Sequence, residues 1–256
     1  MGERVPLETL LTHPNGFLIC WPRWDAEAAE ERIEELSRLG VESIVFEGPH
    51  MVETVPVLGK GNTSLVLKVG MRGEFCVAKV RRTDADRTGF DDEARLLRVA
   101  NEVGVGPGLI SWGRFTLLME FIDGPYLSGW IRGLSSENAE SLKAVLRSFV
   151  LQARRLDKVG LDHGELVRLR RHIILRGGEP VIIDFESAST GRRVANVTTV
   201  LQSLFLNSTA SKTIGVVIGL PDRENLLAAL RTYRKNMSEA SFKALLLTAG
   251  LEKDFT

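Results

Sequence analysis

The 256-residue chain is poor in cysteine, glutamine and tyrosine, with two of each, and it carries no net charge. Each shortage excludes something. Cys20 and Cys76 lie far apart inside apolar, strand-like runs, so core thiols in a reducing, cytoplasmic setting are expected rather than a disulfide or a metal site. Thirty-three basic residues balance 33 acidic ones, so no global field draws the chain to DNA or to a membrane, and attraction to any polyanion must come from a local patch. No apolar run reaches the roughly 18 residues of a membrane span, and the opening MGERVPLETLLTHPNG lacks the basic head and apolar stretch of an export leader. Neither a span nor a leader is expected. Internal repeats, low-complexity stretches, an aromatic RNP pattern, a KH loop and zinc-finger spacing are all missing. Scarce glutamine beside plentiful Arg and Glu suits a heat-adapted source. What is present is an ordinary globular composition, 44% hydrophobic and 26% charged, sufficient for one large core or two small ones.

The pattern along the chain divides into three. Residues 1–50 read as an extension of strand, helix and strand: GFLICW (16–21) is β-prone, Asp25 caps a helix running to about Leu39, and VESIVF (41–46) comes after Gly40. Such a unit cannot bury both faces alone and is expected to pack on the lobe formed by the next residues of the chain. Residues 51–124 predict that β-rich lobe, with a three-strand antiparallel meander over 54–82, a helix over 90–104 and two strands within 112–124. Residues 125–256 predict a helical lobe, with a long capped helix over 135–160, a hairpin turning at 177–178 and helices through the last 60 residues. The expectation is an α+β fold of two lobes joined near Asp123-Gly124-Pro125, with a cleft between them.

Several residues in this order carry chemistry. Gly59, Gly61 and Ser64 form a G-x-G-x-x-S stretch between two predicted strands. That context excludes the Rossmann and Walker arrangements, whose glycines open onto a helix, but a glycine hairpin can fold its backbone N–H groups closely over a phosphate chain. Lys79 closes the third strand, and Glu93 comes later on a helix, where a carboxylate can hold that lysine on nucleotide phosphates. In LLMEFIDG (117–124), Met119 falls at the back of an expected adenine pocket, with the Glu120 carbonyl and the Ile122 N–H placed to pair with the base edge. Further on come HGELVRLRRHIIL (163–175) and VIIDFESAS (181–189), which place two carboxylates, Glu165 and Asp184, at the edges of strand-like segments. Phosphoryl transfer to a hydroxyl uses one carboxylate to hold Mg²⁺ on the phosphates and another to orient or deprotonate the acceptor.

With these residues in this order the chain resembles the protein-kinase-like superfamily over about residues 54–205, nearest its RIO and Bud-type branch with an HGDL loop. More narrowly, HGEL-x-R-x-x-R-H-I-I followed by VIIDFESAS is similar to a group of archaeal predicted Ser/Thr kinases that includes an RNA kinase acting on a tRNA ribose 2′-hydroxyl. The resemblance implies a bilobal kinase-like fold and ATP and Mg²⁺ as cofactors. It implies Lys79, His163, Glu165 and Asp184 as catalytic residues, with Asp184 as the metal aspartate. Three departures matter. Glutamate replaces the usual aspartate at 165, leaving Asp162 as a rival base; Arg170 stands where an asparagine metal ligand is usual, leaving His172 as the candidate replacement; and Glu186 stands where DFG has glycine. No activation-segment signature is present after it, so no switch through loop phosphorylation is expected. Arg168, Arg170, Arg171, Arg192 and Arg193 bracket the proposed acceptor site with positive charge, which favours structured RNA as the acceptor. A Ser/Thr protein kinase and a nucleotide-binding pseudokinase remain the alternatives, and the oligomeric state is open.

Overall fold

The computed structural model describes residues 2–206 and 209–252, apart from the side chains of 169, 170 and 209. The chain is mixed α+β, with an antiparallel sheet and a helical C-terminal part. It divides into two compact units, residues 1–98 with 107–121 and residues 99–106 with 122–256.

The first unit starts with β1 (Glu3–Pro6), α1 (Leu7–Leu10), α2 (Ala26–Arg38) and β2 (Ser43–Phe46). It continues through β3 (His50–Val52), β4 (Val55–Val57), β5 (Gly59–Lys60), β6 (Ser64–Met71) and β7 (Glu74–Arg81). Helix α3 (Asp91–Glu102) comes next, then β8 (Leu109–Trp112) and β9 (Thr116–Glu120). The main sheet has the order β1-β2-β6-β7-β9-β8, with β5 added on β6 and β3-β4 a separate pair. All pairings are antiparallel, and short glycine turns join β6 to β7 and β8 to β9. The first 50 residues do not form a body of their own. Strands β1 and β2 extend the same sheet, and Val5, Ile19, Leu36 and Ile44 share one apolar core with Val57, Leu67, Val80 and Leu118. Both cysteines are reduced and buried, and burial pushes their thiols up, in keeping with inert core residues.

GFLICW is not a strand. Pro14–Cys20 forms a 3₁₀ turn, with His13 accepting from the Asn15 N–H and proline at its start. Helix α2 does begin at Asp25, whose carboxylate accepts the Ala28 N–H at 2.8 Å. Its inward face carries Arg32 and Glu35 as well as Ala29 and Leu36. Glu35 accepts the backbone N–H groups of Arg114 and Phe115, each at 2.8 Å, and so pins the β8–β9 turn to the helix.

The second unit contains α4 (Leu127–Arg132), α5 (Ala139–Lys158), α6 (Leu169–His172), β10 (Ile173–Arg176) and β11 (Glu179–Ile182). Helices α7 (Asn196–Phe205), α8 (Thr209–Ile218), α9 (Arg223–Asn236) and α10 (Glu239–Thr248) complete it. The long α5, apolar along Leu142, Leu146, Phe149 and Ala153, packs against β11, α7 and α8. Strands β10 and β11 form a hairpin turned by Gly177 and Gly178, both at positive φ. Gly124 enters the unit with φ +156°, and a Cβ there would lie 1.8 Å from the Leu175 carbonyl oxygen. Only glycine lets the segment close against β10, where Pro125 O accepts the Leu175 N–H at 2.9 Å. Among the described residues no helix is long and apolar enough to cross a membrane.

Candidate active site

In the first unit the sheet brings Lys79 and Glu93 together. Lys79 lies within the β7–β9 pairing with its side chain buried, and its ammonium donates to Glu93 Oε1 on α3 at 2.5 Å. Arg87 Nη1 reaches the other oxygen of Glu93 at 3.3 Å. Both members of the pair are under 5% exposed. Burying two ions costs several kcal/mol each before their attraction returns it, so such a pair is weak evidence for stability and calls for another reason.

The glycine hairpin lies on the same sheet. Gly59 pairs with Val66 across β5 and β6, and the Gly61 N–H donates to the Ser64 carbonyl at 2.8 Å. Arg82 holds the loop by donating to the Gly61 carbonyl at 3.1 Å. Ser64 is buried, so its hydroxyl is a packing group of β6 more than a surface donor. Met119 is buried in β9, and Glu120 closes that strand, its carboxylate accepting the Gly108 N–H at 3.0 Å. Ile122 is buried and belongs to the second unit.

The second unit gathers the remaining candidates around the end of β11. Glu165, His172 and Asp184 each present a donor atom within 4.8 Å of the others. His172 Nε2 lies 3.1 Å from Glu165 Oε2, and its Nδ1 lies 3.7 Å from Asp184 Oδ2. The imidazole is buried, yet neither ring nitrogen has a hydrogen-bond partner. Burial pushes the His172 pKa down, against the pull of Asp184 and Glu165. Asp184 itself has φ +70°, in the left-handed region. Aspartate tolerates this better than most residues, but the conformation still costs on the order of 1 kcal/mol and is typical of functional positions.

His163 plays a different part from its neighbours. It is fully buried; its Nε2–H donates to the Ile183 carbonyl at 3.1 Å and its Nδ1 faces the Glu165 N–H at 3.4 Å. Both nitrogens of a neutral ring are thereby used, and burial holds its pKa down at about 4. His163, which also meets the Phe185 ring edge-on at 4.9 Å, ties the 163–165 loop to the segment that carries Asp184. It positions the site and touches no solvent.

Asp162 is likewise committed. Its carboxylate accepts from Arg192 Nε at 2.6 Å and from the Ala195 N–H at 2.9 Å, while its backbone pairs with Ser189. Arg192 also donates to the Ser187 carbonyl at 2.8 Å, so this arginine braces the loop after Asp184. Gly164 makes room for it. At φ +86°, any Cβ there would come within 2.5 Å of Arg192 Nη2 and 2.7 Å of Ser187 O. Of the other arginines, Arg168 is largely exposed and reaches Glu165 Oε1 at 3.1 Å, Arg171 is exposed, and Arg193 donates to the Arg234 carbonyl at 2.5 Å. The side chain of Arg170 lies outside the described residues.

One residue that the sequence did not single out holds the loop from beneath. Asn196, buried at the start of α7, accepts the His163 N–H at 2.9 Å and donates to the Leu161 carbonyl and to Asp157 Oδ1. Asp157 in turn accepts from the Tyr233 hydroxyl at 2.8 Å, and Arg154 donates to the same hydroxyl. No protein-family model matches the chain, and no curated protein matches it by sequence.

Proposed function

We propose that the chain is an ATP-dependent phosphotransferase of the protein-kinase-like kind, its two units being the N-lobe and C-lobe, and that it phosphorylates a hydroxyl of RNA, in particular a tRNA ribose 2′-hydroxyl. The observation that carries the proposal is the buried Lys79–Glu93 pair, formed between β7 and α3 in the unit that also holds the glycine hairpin. A lysine fixed in this way presents a positioned ammonium to nucleotide phosphates, and phosphoryl transfer depends mainly on positioning and charge. The second unit supplies Asp184, held in its left-handed conformation at the end of the hairpin, and Glu165, held by the Gly164 turn and the His163 brace. Exposed Arg171, and Arg168 beyond its contact with Glu165, support a phosphate-bearing acceptor, whereas Arg192 is engaged with Asp162 and Arg193 with a carbonyl.

Magnesium fits this donor set only in part. Asp184 and Glu165 offer hard oxygens, whereas the unpartnered imidazole of His172 is a poor ligand for Mg²⁺. Calorimetric titration with ATP tests nucleotide binding, and transfer of γ-phosphate label to RNA tests the activity. Asp184→Ala should keep the fold and lose transfer; transfer by that variant at the wild-type rate would remove the proposal.

A further inference from the structure

We infer that Glu165, His172 and Asp184 form a mixed nitrogen and oxygen site for a divalent first-row transition ion, with a preference over Mg²⁺. The geometry poses a problem that such an ion solves. A neutral imidazole has one N–H and one lone pair, yet both ring nitrogens of His172 face carboxylate oxygens, at 3.1 Å and 3.7 Å. At least one nitrogen lone pair therefore lies close to carboxylate oxygens, beside a ring that is 4% exposed and makes no hydrogen bond. A buried polar group in that state is destabilising, and a cation lying between the three side chains removes the conflict.

The donor types select the ion. Magnesium prefers six oxygens in near-ideal octahedral geometry and keeps much of its water. Imidazole nitrogen favours the later first-row ions, and affinity at mixed N and O sites rises from Mn²⁺ through Co²⁺. Glu165 has one oxygen, Oε2, toward His172, and its other oxygen is held by Arg168 at 3.1 Å. It is therefore arranged to give one donor, as a monodentate ligand does. His172 ends the short α6 and directly precedes β10, so its backbone is fixed by the hairpin, with its own carbonyl accepting the Ile183 N–H at 2.9 Å. The ligand from the helix-to-strand junction and the ligand two residues past β11 are thus held by one hairpin.

The inference concerns the site to which phosphotransfer is assigned, but its test needs no nucleotide. The full chain, stripped with a chelator, is titrated with Co²⁺ and followed by the visible absorption of the bound ion. One Co²⁺ per chain is expected, with a hundredfold excess of Mg²⁺ failing to displace it. His172→Asn should weaken Co²⁺ binding by about tenfold or more, since even altering a residue that only supports a metal ligand costs that much. Asp184→Asn changes a partly exposed side chain with little risk to folding, and it should weaken Co²⁺ binding as well. Equal competition by Mg²⁺, or Co²⁺ binding unchanged in Asp184→Asn, would overturn the inference, the latter by placing the ion elsewhere, such as at His13 or His50. Selective Co²⁺ binding without phosphate transfer would leave the metal site standing and remove the phosphotransferase proposal. Transfer with Mg²⁺ and no selectivity for Co²⁺ would do the reverse.

Discussion

Asn196 holds His163 by its backbone: the side-chain Oδ1 accepts the His163 N–H at 2.9 Å, and the amide group donates to Leu161 O and Asp157 Oδ1. One buried side chain thus connects α7 to the end of α5 and to the segment that leads into Glu165. Asn196→Ala leaves the His163 N–H and the Leu161 carbonyl without these partners and takes one of two residue-196 donors from Asp157 Oδ1. The expected loss is about 2–4 kcal/mol in chemical denaturation, since each orphaned buried group costs on the order of 1 kcal/mol or more. A loss near zero would show that the loop does not depend on this anchor.

The buried imidazole of His163 makes stability depend on pH. Its folded pKa of about 4 lies below the ordinary value of 6.5, so the folded state binds fewer protons than the unfolded state between these values. The stability it contributes is complete above pH 6.5 and is lost as pH falls toward 4. A shift of this size corresponds to ~3 kcal/mol. Denaturation curves of wild type and His163→Gln between pH 4 and 7 should therefore converge toward the acid end, because only the wild type loses the His163 contribution, while other groups titrate in both proteins. Parallel curves would contradict the assignment.

Lys79 and Glu93 can be separated by a double substitution. Lys79→Met leaves Glu93 buried with only the longer contact to Arg87, and should cost about 3 kcal/mol. Lys79→Met combined with Glu93→Leu removes both charges and should recover most of that stability, as apolar replacement of buried pairs often does. On the phosphotransferase proposal, ATP affinity should be lost in both. Recovery of ATP binding in the double variant would show that the pair is only structural.

The glycines in the second unit differ in what surrounds them. Gly164→Ala meets Arg192 and a backbone oxygen, whereas Gly177→Ala at φ +57° meets nothing within 4 Å. The first should cost about 2–3 kcal/mol and disturb Glu165; the second should cost about 1 kcal/mol from its backbone conformation alone. Thermal melts of the two variants measure the difference.

Much of this architecture is legible in the sequence, for identifiable reasons. Helix α2 announces itself by its Asp25 cap and α5 by an apolar stripe, entered through a 3₁₀ turn that Ser135 caps, and the Gly177-Gly178 turn marks the hairpin. GFLICW misleads because a short run buried on most sides has no period to read, while Pro14 at its start is the available signal for a helical turn. The order Lys79, Glu93, Glu165, Asp184 is visible as spacing. The roles of Asn196 and Arg192 are not, because they arise from contacts across 30 or more positions, Asn196 to His163 and Arg192 to Asp162. Arginines look alike in sequence, and only the fold distinguishes one bound to a buried carboxylate from one exposed to solvent.

The proposed phosphotransfer is tested most directly by offering tRNA and a mixture of protein acceptors together to the purified chain with γ-labelled ATP, and locating the label. The predicted result is label on tRNA, at a position that resists alkaline cleavage because its 2′-hydroxyl is blocked, and no label with Asp184→Ala. Transfer should weaken steeply as salt rises, since counterions are released at each phosphate contact. Label on protein serine or threonine, with tRNA untouched, would contradict it.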